Sequence, residues 1–277
     1  MIEALQFEFM QNALLAGLIT SIICGIIGTF VVVNRMVFLT GGIAHAAYGG
    51  IGAALFFGIP YIYGTLAFSL AAAVIMTAVT LKAAHRADTF IGVLWAVGMA
   101  VGVILVDLTP GYNVDLMSYL FGSILAVPFS EILWMAAMGA VTLGLTLIFY
   151  RDLIAISYDP EFARLRGVPV YFLYFLFMAL TAVAIVVIIR VVGLLLVIAM
   201  LSIPPYIAEK YANCLGVMMV ISVALSVVFN IAGLWAAYCF NLSSGAAIIL
   251  VAATGFFISA LTDCCTARLQ KKHRSKK

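Results

Sequence analysis

Apolar runs of roughly 18 to 25 residues follow one another along most of this chain, and nothing else in the sequence restricts its fold so strongly. A run of that length, wound as a helix rising about 1.5 Å per residue, crosses a hydrocarbon core roughly 30 Å thick. Lipid offers no partner to a backbone N–H or C=O, so such runs have to satisfy those groups internally, as helices do. Hydropathy places them at about 11–33, 36–58, 60–82, 89–108, 129–150, 168–189, 191–208, 214–238 and 242–262. That is about nine spans, or eight if one of them does not cross. The expectation is an all-α, polytopic transmembrane bundle forming one domain over residues 1–277, with a basic tail from about 264 to 277. Composition agrees, with 66% of residues hydrophobic and only 9% charged, which leaves no room for a soluble domain.

Orientation follows from the basic residues, because Lys and Arg favour cytoplasmic loops. With the C-terminus inside, 13 of the 14 basic residues fall on the cytoplasmic face and only Arg190 falls outside. Acidic residues weigh little in this rule, so Glu3, Glu8, Asp107, Asp115 and Glu131 are free to face out. The reading is N-out, C-in, a multi-pass protein of the cell membrane, with its first run a span and not a removable signal. The basic tail anchors this topology and carries no groove-reading element, so nucleic acid is not a partner. The five cysteines lie in apolar segments without metal-type spacing and read as small apolar residues. Residues 112–127 are amphipathic, outside and too short to cross, which suggests a re-entrant or surface-lying helix.

No phosphate-binding loop, HExxH or GxSxG is present, and the spans offer no paired carboxylates or serine with a basic partner for intramembrane hydrolysis. This is not an enzyme's sequence. Instead "TGGIAHAAYGGIGA" puts His45 about ten residues, or ~15 Å, into its span, and an ionisable group at that depth is functional by default. Its neighbours three and four residues away are Gly41, Gly42, Tyr48 and Gly49. Two readings stay open: a small-residue packing face whose histidine bonds to another helix, or room beside an imidazole where a cation passes and is transiently ligated. "SYDPEFARLRGVPV" encodes a short cytoplasmic helix with Asp159 as cap, Pro160 first, Glu161 in the first turn, Arg164 near the end and Gly167 as the stop. It is loop architecture, or a knob fitting a cytoplasmic partner. Pro204 and Pro205 deprive carbonyls near Met200 and Leu201 of their partners, so a kink or unwound turn is expected there, a candidate gate hinge. Asn230 and Asn241 read as helix-to-helix hydrogen bonders.

Taken in order, "GGIAHAAYGG", "SYLFGSILAV", "YDPEFARLRGVP", "VVGLLLVIAMLSIPPYIA" and "GLWAAYCFNLSSGAAIIL" resemble the membrane permeases of the zinc, manganese and iron ABC importers, the ABC-3 family. The resemblance covers nearly the whole chain. It implies a permease subunit without permanent cofactors, moving a divalent metal ion with energy from a separate ATPase. The implied partners are a second permease subunit, in a homodimer, two cytoplasmic ABC ATPase subunits and an extracytoplasmic metal-binding protein, all against membrane lipid. It also implies that Asp159, Glu161, Arg164 and Gly167 belong to the coupling helix that meets the ATPase, and that His45 helps line the metal path. Many members carry an aspartate one turn before that histidine, where this chain has Gly41, and often aspartate and proline where it has Asn241 and Ser243. A lone neutral imidazole suits Zn²⁺ better than an ion that prefers oxygen ligands, which favours zinc over manganese or iron. A secondary cation carrier that needs no ATPase is the alternative.

Overall fold

The apolar runs do fold as helices, and turn chemistry decides where each one stops. The computed structural model describes residues 7–82, 87–110, 122, 124 and 127–274, with side chains to residue 262. The helices are α1 (Glu8–Val33), α2 (Val37–Phe57), α3 (Tyr61–Lys82), α4 (Ala87–Asp107), α5 (Phe129–Ile148), α6 (Tyr150–Tyr158), α7 (Pro160–Leu165), α8 (Val170–Val192), α9 (Leu194–Glu209), α10 (Leu215–Phe240) and α11 (Ser244–Arg274). Among the described residues, eight are long and apolar enough to cross a membrane: α1 to α5, α8, α10 and the first part of α11, Ser244–Thr262. The segment expected at 112–127 lies almost wholly outside the described residues.

The seventh expected span, 191–208, is the one that differs. It is α9, 16 residues long and therefore only about 24 Å, split from α8 by Gly193 at φ +88°. It nevertheless joins the two faces of the bundle. At the end of α8, Arg190 meets Glu131 at the start of α5, while beyond α9 the Lys210 ammonium donates to Ser259 Oγ, late in the last span. Counting α9, the ends of the described chain lie on opposite faces, in keeping with the orientation read from the charges.

Arg190, the outward exception to the positive-inside pattern, is held in place by neighbours. Its guanidinium is 2.6 Å from the Glu131 carboxylate and sits 5.0 Å above the Tyr61 ring at the start of α3. The pair ties the outer ends of α3, α5 and α8 together, and with Arg190 44% exposed it contributes at most about 1 kcal/mol.

Helix α2 is the axis of the fold. Every residue from Leu39 to Ala54 is buried, so this span faces protein on all sides and lipid on none. It packs chiefly on α4 and α3. Helix α4 buries only Ile91, Gly98, Gly102 and Val106, one stripe, and turns Phe90, Val93, Val97 and Ile104 outward. The α2–α4 seam runs through glycines. A Cβ on Gly98 would lie 2.7 Å from the Ala46 Cα, and one on Gly102 would lie 2.7 Å from the Tyr48 carbonyl oxygen. Gly102→Ala therefore forces backbones apart and should cost about 1–3 kcal/mol, read as a lower melting temperature in detergent. Gly92→Ala on the same helix meets nothing within 4 Å and serves as the neutral control.

On the other side of the bundle, α1 packs against α9 and α10. Asn230 of α10 donates its amide to Ser21 Oγ at 2.7 Å and to the Gly17 carbonyl at 3.4 Å, which is the interhelical bonding expected of it. Asn241 does something else. It ends α10 in the left-handed region at φ +53°, a conformation Asn tolerates better than most residues, and the Leu242 N–H closes the turn onto the Ala237 carbonyl. It is a helix cap and not a helix-to-helix bonder.

Candidate functional site

Three elements carry the residues singled out by the sequence, and the structure keeps them apart: His45 in mid-α2, the prolines in α9, and the capped helix α7 on the cytoplasmic face. His45 is 5% exposed, and neither ring nitrogen has a hydrogen-bond partner among the described residues. A buried polar atom without a partner costs about 1–3 kcal/mol, so an imidazole with two of them adds no hydrogen-bond stability to the fold. Two free nitrogens in a buried setting fit a ligand for a passing cation.

The glycines around His45 divide between the two open readings. Gly42 is filled by the Met76 side chain of α3, and a Cβ on Gly49 would lie 2.8 Å from the Gly98 carbonyl oxygen of α4. These two are packing glycines, present so that helices can approach. Gly41 is different: a Cβ there would meet only Trp95 Cζ3, at 3.9 Å, an ordinary contact. Room beside the imidazole exists at one position, not three. Trp95 of α4 also lies face to face with His45, ring centroids 4.0 Å apart and planes 18° from parallel. No group of three or more His, Cys, Asp or Glu able to hold a metal ion occurs among the described residues.

The prolines do not unwind their helix. α9 stays helical through Pro204 and Pro205, both buried, so of the kink or unwound turn expected there the unwound turn does not form. The Leu201 carbonyl, deprived of its helical donor by Pro205, turns to α1, where a Cβ on Gly28 would lie 2.6 Å from it. A glycine on the neighbouring helix thus makes room for the carbonyl and for the proline ring, 2.8 Å from the same point.

Helix α7 is built as its sequence suggests. Asp159 Oδ1 accepts from the Phe162 N–H at 2.9 Å, Pro160 occupies the first position, and Gly167 takes φ +80° beyond the end. Arg164 lies 5.0 Å over the Tyr171 ring and Arg166 5.5 Å over Phe162. Ala163 seats the helix, while Phe162 and Leu165 point away, Leu165 at 86% exposure. What reads as one loop at 151–167 is two helices, for α6 precedes α7 and buries Leu153 and Ile156. Between α7 and the inner ends of the spans lies a cavity of about 300 Å³, bordered by Asn34, Thr77, Arg164, Tyr174 and Met178.

The sequence did not single out Trp95 or the Arg190–Glu131–Tyr61 group. The signal for Trp95 was "WAVGMAVG", in which an aromatic residue precedes two glycines at one-turn spacing.

Comparison with known proteins bears on the whole chain. The model of the ABC 3 transport family matches residues 6–263. An uncharacterized membrane protein of Synechocystis is 49% identical over 259 residues, 94% of this chain and 92% of that protein. A manganese transport system membrane protein of Listeria monocytogenes is 34% identical over 93% of this chain and 91% of its own. A manganese import system permease of Streptococcus parasanguinis is 33% identical over 92% and 90%. Among solved structures, PsaBC from Streptococcus pneumoniae in complex with Fab aligns with a TM-score of 0.84 at 34% identity, over 93% of each chain.

Proposed function

The chain belongs to the ABC 3 transport family and is a multi-pass membrane permease; on that premise we propose that it carries a divalent transition-metal ion inward, powered by a separate ATPase docked at α7. The observation that carries the proposal is His45, a buried imidazole with two unpartnered nitrogens on the most buried span. An ion in transit is substrate and not a resident cofactor, and a lone ligand suits transit because a tight cage would not release its cargo. The remaining ligands come from water, from the delivering protein or from a second copy of the permease.

Zinc is the cargo that the donor set favours, since imidazole without a neighbouring carboxylate suits a borderline ion better than an oxygen-seeking one. Manganese is the second reading, supported by the names of the Listeria and Streptococcus relatives. Uptake of radioactive zinc and manganese into proteoliposomes holding the permease with its ATPase decides both points. The expected result is uptake that requires ATP and is competed more strongly by unlabelled zinc than by manganese. Gradient-driven uptake without the ATPase would instead establish a secondary carrier.

A further inference from the structure

We propose that Trp95 is the positioning residue of the His45 site, and that this indole sets how strongly the site takes its ion. The proposal rests on the reading of His45 as a ligand on the metal path. A ligating histidine is ordinarily oriented by a hydrogen bond from its second ring nitrogen, which fixes the ring plane and the nitrogen offered to the metal. His45 has no such bond to any described residue. What it has is a parallel indole at 4.0 Å, a contact made through the ring face, which holds the plane of the imidazole without bonding either buried nitrogen.

The indole is itself held. Trp95 stands three residues before Gly98, and at Gly98 and Gly102 α4 lies against α2 so closely that a Cβ on either glycine would strike the α2 backbone. The glycine crossing therefore delivers Trp95 to the level of His45 and keeps it there. The same ring borders the open position at Gly41, the one place on this face of α2 where a second side chain would fit. Trp95 thus lies against both the imidazole and the open position at Gly41.

The test uses the permease–ATPase complex in proteoliposomes, with zinc uptake measured across concentrations for Trp95→Leu, Trp95→Met and Trp95→Phe. Loss of a ligand's orienting contact typically weakens metal binding about 10- to 100-fold. The expected result is a KM for zinc raised at least about tenfold in Trp95→Leu and Trp95→Met, with the maximal rate within about twofold. Trp95→Phe, which keeps a ring against the imidazole, should stay within about threefold of the parent KM. An unchanged KM in either aliphatic variant that assembles overturns the proposal, as does an equal loss of maximal rate in all three, which marks a packing role. His45→Ala is measured alongside. If it transports like the parent, the reading of the metal path fails; if it is inactive while Trp95→Leu keeps the parent KM, only the role of Trp95 fails.

Discussion

His45→Ala should reduce ATP-driven zinc uptake at least about a hundredfold, the upper end of what losing even an indirect contact to a metal ligand does. The substitution is unusually clean. Neither imidazole nitrogen bonds to a described residue, so no hydrogen bond to one is broken, and the fold loses the stack on Trp95, worth about 0.5–1.5 kcal/mol, together with the packing of the imidazole itself. Removing a buried group with two unsatisfied nitrogens offsets part of that loss. The variant should therefore reach the membrane and melt within a few degrees of the parent, and a collapse of uptake then reports on transport. Full uptake by a correctly inserted variant would remove His45 from the path. Gly41→Asp probes the same site from the other direction. A Cβ at this position makes only an ordinary contact with Trp95, and a carboxylate one turn from the imidazole creates the oxygen–nitrogen pair that harder ions prefer, so competition should move from zinc toward manganese.

The spans were legible because lipid leaves helices as the form open to long apolar runs, and the orientation because lysine and arginine report it. The exceptions have local causes. α9 is short because Gly193, free to adopt φ +88°, starts it at Leu194, three residues after the boundary that hydropathy places at 191. α6 hid inside a loop because nine residues with two buried side chains are too brief a pattern to separate from their flanks. At the site, sequence marks Gly41, Gly42 and Gly49 as equivalent. They differ only because Met76 arrives from α3 and Gly98 from α4, information that belongs to neighbouring helices. Trp95 escaped for the same reason, since an indole within a span is ordinary until an unpartnered imidazole is found beneath it. The cap of α7 was legible in full because its determinants, Asp159, Pro160 and Gly167, lie within nine residues and act through their own backbone.

Leu165→Asp should uncouple the transporter, and α7 shows why this residue is the one to change. A leucine exposed at 86% on the cytoplasmic side, beside a half-exposed Phe162, is an apolar pair on a capped knob that no described residue of its own chain covers. Docked in a groove of the ATPase, each would be an anchor whose loss costs about 2 kcal/mol or more, near thirtyfold in Kd. Asp adds the cost of burying a charge. Reversing Glu161 and Arg164 tests the same surface less cleanly, because Arg164 also lies over Tyr171 and its loss disturbs the seat of the helix. Leu165 leaves the Asp159 cap, the buried Ala163 and both arginine–ring contacts in place. The variant should keep the melting temperature of the isolated permease, fail to retain the ATPase through size-exclusion chromatography, and lose uptake in proportion. Retention of the ATPase with full uptake would place the docking surface elsewhere, and uptake that persists after the ATPase is lost would mean that transport never depended on it.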